Sequence, residues 1–76
     1  PPWTAVEHLA VLRLDQSQVQ LIKNGRKFAL SQPQLDAVMA PVELIRIEAE
    51  ADGTFLGLGE VSDDGVLLPR RLMKTQ

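Results

Sequence analysis

Asp52-Gly53-Thr54-Phe55-Leu56-Gly57-Leu58-Gly59-Glu60-Val61, then Ser62-Asp63-Asp64-Gly65, then Val66-Leu67-Leu68-Pro69-Arg70-Arg71-Leu72-Met73 is the stretch that decides the fold. Asp52-Gly53 supplies the positive φ of a two-residue type I′ turn, so it predicts a hairpin between Val42–Ala51 and Thr54–Val61. Residues 62–65 form a second turn signal, and Val66–Met73 is the last predicted strand. Pro69 cannot donate to a ladder, so it marks an edge or a bend. Gly57 and Gly59 lie two apart and share a strand face. A face bare of side chains lets another backbone, or a helix, approach closely.

Upstream of these hairpins the pattern changes. Leu12 and Leu14 flank Arg13 in strand-like alternation. Asp15 and Gln18 form a capping-box pattern that opens a helix from Gln16 to Lys23, with Val19 and Ile22 on one face. Asn24-Gly25 closes it, because glycine adopts the left-handed conformation at C′ without a Cβ clash. Arg26 to Leu30 predicts a short strand. Residues 31–41 connect it to the hairpins, with Leu35, Val38 and Met39 spaced for a short turn of helix. Thr4 and Glu7 form another capping-box pattern, so residues 4–10 predict a helical turn. The sum is mainly β with one or two short helices. A lone meander would leave edges and one apolar face bare, so the strands predict a small closed or half-closed barrel capped by a helix.

Composition limits the function. The 76 residues contain 45% hydrophobic and 24% charged residues and no cysteine. That excludes disulfides and zinc-thiolate sites and fits one small folded domain. No apolar run approaches the roughly 18 residues of a membrane span. The chain opens Pro1-Pro2 with no initiator Met, so it is expected to be part of a larger protein. The net charge of −2 is unevenly spread: +1 over residues 1–42, −6 over 43–64, +3 over 65–76. The simplest reading is solvated strand faces. A sharper one is that the acids keep one side clear of an anion while the bases meet it on another.

Catalytic chemistry finds little material. His8 is the only histidine, and Ser17, Ser31 and Ser62 lack a nucleophile-elbow context. Asp63-Asp64-Gly65 lacks the alternating acids of a calcium loop. Glu48 and Glu50 read as charges on an exposed strand face. Gly57-Leu58-Gly59 sits inside a strand and opens no helix, so it is no phosphate cradle. Asp15 stands in a context resembling a synthase nucleophile, but the N-cap role explains it. No metal and no cofactor are expected. The remaining signal is basic. Lys23, Arg26 and Lys27 surround Gly25, and Arg70-Arg71 follow Pro69, with Lys74 three residues on. If the last strand lies beside Arg26–Leu30, these six bases share a face. Arg grips a phosphate with two parallel hydrogen bonds, and Lys acts as a point charge. With only Trp3, Phe28 and Phe55 available, base stacking is not the main mode.

Gly53-Thr54-Phe55-Leu56-Gly57-Leu58-Gly59-Glu60-Val61, Asp63-Asp64-Gly65 and Leu68-Pro69-Arg70-Arg71-Leu72 resemble the C-terminal end of bacterial tRNA pseudouridine-55 synthases. Thr4-Ala5-Val6, Leu9, Leu12, Leu14-Asp15 and Lys23-Asn24-Gly25 are similar to the family's link into that domain, its first strand and its helix end. Residues 31–41 and Ala10 match least. The resemblance implies a PUA-like β pseudo-barrel at residues 11–76 that binds RNA, with 1–10 as linker and short helical turn from a catalytic domain. That catalytic domain, in cis, would isomerise the T-loop uridine of tRNA through an Asp nucleophile. The 76 residues themselves would not be an enzyme. PUA-like domains hold RNA on the first helix, the strand after it and the last strand. Here those positions are Lys23, Gly25, Arg26, Lys27, Arg70 and Arg71, with Lys74 beyond. The implied partners are tRNA and the catalytic domain, with no membrane, for a monomer in the cytoplasm. The alternative is a structural or protein-interaction module docking on that catalytic domain or another partner.

Overall fold

The computed structural model describes residues 9–73. The elements run β1 (Val11–Leu14), α1 (Gln16–Lys23), β2 (Phe28–Ala29), α2 (Gln32–Val38), β3 (Val42–Ala49), β4 (Phe55–Val61) and β5 (Val66–Leu72). They form one five-stranded sheet ordered β1-β3-β4-β5-β2. β1 pairs with β3 in parallel, and the other pairs are antiparallel. The connection from β1 to β3 therefore crosses by way of α1 to the far edge, adds β2, and returns through α2. The sheet curls into a half-barrel around Leu12, Leu14, Ile22, Val38, Ile45, Ile47 and Leu67, each at most 2% exposed. Burying such a side chain contributes about 1.5–3 kcal/mol.

The curl has a backbone cause. Register shifts interrupt β3–β4 twice and β4–β5 once, and an extra residue at such a bulge bends the strand and increases its twist. At Gly57 (φ 146°) an added Cβ would meet the Arg71 carbonyl oxygen and sit 2.8 Å from Leu72 Cα. The close approach predicted for this strand is thus to the β5 backbone.

The sequence predicts α1 to the residue. Asp15 accepts from Gln18 N while Gln18 Oε1 accepts from Asp15 N. At the other end Gly25 (φ 72°) donates to Ile22 O and Arg26 donates to Leu21 O, a Schellman closure. Three expectations need correction. The 31–41 connection holds a full two-turn helix, because Ser31 and Gln34 form a second capping box and Pro33 sits in the first turn. β2 spans only two residues, so Arg26 and Lys27 lie outside it. The 52–53 turn is wider than type I′. β3 ends at Ala49, Gly53 N donates to Ala49 O, and Gly53 alone in that loop has positive φ. Asp52 instead turns its carboxylate onto Thr54 N. The predicted helical turn at 4–10 lies mainly outside the described residues, and Leu9 and Ala10 are not helical.

Candidate nucleic-acid interface

The Schellman closure that ends α1 turns the chain so that Gly25, Arg26 and Lys27 run beside β5. Together with Leu21, Leu68 and Pro69 they line a shallow groove. β2 pairs only with Val66 and Leu67 of β5. From Leu68 onward that edge of β5 has no strand beside it among the described residues, and Pro69, lacking an N–H, occupies it without presenting an unpaired donor. Gly25 N and Arg26 N are both consumed by the helix closure. Any anion held here is therefore held by the side chains of Arg26 and Lys27, both exposed, and not by a cradle of backbone N–H groups.

Arg70 and Arg71 are neighbours in a strand, and a regular strand would send them to opposite faces. The strand is not regular. Leu58 pairs with Arg71 while Gly59 pairs with Pro69, which leaves Arg70 as an extra, bulged residue. Arg71 shares the outer face with Leu58, and Arg70 reaches Glu60 on the same face and bonds its carboxylate. The bend at Pro69 and the pairing with an acid thus occur together. Arg70 stays 59% exposed within its ion pair, and surface pairs of this kind contribute about 0–1 kcal/mol. Arg71 is exposed and forms no ion pair among the described residues.

The six bases do not all converge. Lys23 lines a different groove, between α1 and the 50–53 loop, with Gln20, Asp52 and Thr54. There it helps hold the Asp52 carboxyl below its ordinary value, after the larger effect of the Thr54 hydrogen bonds. Lys74 lies outside the described residues. The acidic stretch is not segregated either: Glu60 bonds Arg70, and Glu48 bonds Arg46 at 3.4 Å on the same sheet face. Glu48 and Glu50 do not share a strand face, because the strand ends between them at Ala49. Asp15, whose context resembles a nucleophile, is an N-cap. Bonds from Gln18 N and then Ser17 Oγ, each 2.8 Å, hold its carboxyl below the ordinary range. Among the described residues no group of three or more His, Cys, Asp or Glu side chains could hold a metal ion. No described helix is long and apolar enough to cross a membrane. The sequence reading missed two further arginines on the outer face, Arg13 and Arg46. Alternation in their strands carried that signal.

A curled five-stranded sheet with two short capped helices, and bases along one edge, defines a small, mainly β half-barrel domain. Residues 10–73 match the family described as Pseudouridine synthase II TruB, C-terminal, and the chain belongs to that family. Relatives each called tRNA pseudouridine synthase B include one from Aromatoleum aromaticum, 39% identical over 92% of this chain and 20% of its own length. Another from Shewanella woodyi is 33% identical over 96% of this chain and 21% of its own. A third from Colwellia psychrerythraea is 30% identical over 96% and 23%. The chain spans about a fifth of the length of the curated relatives it matches.

Proposed function

We propose that residues 11–76 form a PUA-like RNA-binding domain of a tRNA pseudouridine-55 synthase. It holds tRNA while a separate catalytic domain isomerises the T-loop uridine, and residues 1–10 link the two. The observation that carries this reading is the groove in which Arg26 and Lys27 lie against the Pro69 edge of β5, one residue from the bulge that sends Arg70 and Arg71 to one face. The relatives' name supports tRNA as the polyanion. The domain acts as a monomer in the cytoplasm and needs no cofactor.

With Arg70 neutralised by Glu60, the free cations of the face among the described residues are Arg26, Lys27 and Arg71. About three neutralised phosphates give weak binding whose log K falls with log salt at a slope of about −2 to −3. Titrating tRNA into the 76-residue chain between about 50 and 200 mM salt tests this. Binding with no salt dependence, or no binding at the lowest salt, would overturn it. A second reading, a module that docks on protein, draws support from the Arg70–Glu60 pair and from the apolar outer face described next.

A further inference from the structure

Among the described residues no element covers the outer face of the sheet, yet its centre is not built like a solvated surface. Cross-strand register places Val11, Arg46 and Leu58 in one row over β1, β3 and β4, and Glu48 and Phe55 in the next. Leu44, two residues before Arg46 in β3 and next to fully buried Ile45, is 41% exposed. At the middle the Arg46 guanidinium stacks 5.0 Å from the Phe55 ring centroid and bonds Glu48. Both charged side chains are largely shielded, at 25% and 17% exposure. Arg46 Nε is cut off from water with no hydrogen-bond partner. An arginine already fixed and partly desolvated between an aromatic ring and aliphatic side chains is the composition of a protein–protein hot spot. A phosphate-binding arginine keeps its fork free, and this one does not.

We propose that this face docks against the remainder of the same polypeptide, the part that lies ahead of β1. The inference rests on reading the chain as the C-terminal domain of a longer synthase, and it fixes which surface turns toward the rest of that protein. About four-fifths of each relative lies outside the matched region. The chain enters this domain at Val11, itself a member of the face. Ala10 O accepts from Arg46 N at 2.9 Å, so the entry point is tied to the centre of the patch. A short tether raises the effective concentration of the preceding part to the millimolar range, enough for a modest apolar patch to dock. Arg71 lies on β5, toward the RNA edge and outside the covered area, whereas Arg13 stands exposed on β1 without an ion pair among the described residues. The matching surface therefore presents carboxylates at its rim. RNA would in that case meet the β5 edge and its groove while the outer sheet face stays covered.

The test is hydroxyl-radical footprinting of the full-length protein, with and without tRNA, read at single residues. Phe55, Leu58 and Leu44 should label within about twofold of buried Ile45, while Met39, 83% exposed, labels at least tenfold faster. Neither ratio should change on adding tRNA. Leu58→Glu in the full-length protein should raise labelling of Leu44 and Phe55 severalfold. Rapid labelling of Leu44 and Leu58 in the free protein that tRNA suppresses would overturn the proposal and assign the face to RNA. Rapid labelling with and without tRNA would overturn it with no substitute. Failure of the RNA reading shows elsewhere, as absence of tRNA-dependent protection at Leu68 and Pro69.

Discussion

Two capping boxes in this domain are joined by their own glutamines, and breaking that joint gives a sharp test of how the helices are held. Gln34 Nε2 donates to Gln18 Oε1 at 2.8 Å, and Gln18 Nε2 donates back to Gln34 Oε1 at 3.0 Å. Gln34 Nε2 also reaches Arg13 O at 3.1 Å, tying α2 to the edge of β1, while its Oε1 caps Ser31 N. Partly exposed neutral hydrogen bonds each contribute about 0.5–1 kcal/mol net. Gln34→Ala removes these four and a fifth, donated by Ser31 Oγ to Gln34 Oε1 at 3.1 Å, and should cost about 2.5–5 kcal/mol. Gln18→Ala removes the Asp15 N cap and the two shared bonds, about 1.5–2 kcal/mol. The shared pair is lost in either variant, so the double variant should cost about 1 kcal/mol less than the sum. Urea unfolding of the four proteins, followed by far-ultraviolet circular dichroism, measures this coupling. Additivity within about 0.3 kcal/mol would refute the joint. Gln34→Glu separates this account from capping statistics, which favour Glu at N3. The new carboxylate would keep the Ser31 cap but face the Arg13 carbonyl and Gln18 Oε1. Its pKa is then raised on folding, so the destabilisation is present near neutral pH, is relieved as pH falls through the raised folded value, and is gone below the unfolded value of about 4.3.

Gly57→Ala should cost about 3 kcal/mol or more, or prevent folding, because Cβ meets the β5 backbone at a φ only glycine tolerates. Gly25→Ala has open space around it and should cost about 1 kcal/mol by the same unfolding assay, through backbone conformation alone. The Asp15 carboxyl is lowered on folding. Its contribution to stability is present above the unfolded pKa of about 3.9 and lost as pH falls through the folded value. Asp15→Asn should remove that part of the acid limb, and NMR titration of the carboxyl reads the shift directly. Incubating the 76-residue chain with unmodified T-arm RNA should give no pseudouridine, and turnover that Asp15→Ala abolishes would contradict the N-cap assignment.

How much was legible varies with the range of the interaction. β1 and α1 are written locally, in Leu12/Leu14 alternation, the Asp15/Gln18 box and Gly25, and the structure follows them. Ser31-Gln-Pro-Gln34 carries the same box signal for α2, and the paired prolines of the connection masked it. Asp52-Gly53 suggested a two-residue turn because the dipeptide favours one, but strand length decides the loop, and β3 stops at Ala49. Bulges depend on pairing between strands and leave no mark in one of them, so the common face of Arg70 and Arg71 is not legible in their own strand. Lys23 looked like a neighbour of Arg26. The helix closure between them turns one toward Asp52 and the other toward Pro69.

The RNA face is tested most directly by comparing tRNA affinities of three charge reversals in the 76-residue chain at one low salt concentration. Arg26→Glu combined with Arg71→Glu should weaken binding at least tenfold, because two of three free cations become repulsive. Lys23→Glu, in the groove beside Asp52, should change it less than threefold. Glu48→Lys, beside Arg46 at the centre of the outer sheet face, should leave it equal or stronger. Loss of binding on reversal of Lys23, with the Arg26 and Arg71 double reversal harmless, would contradict the account.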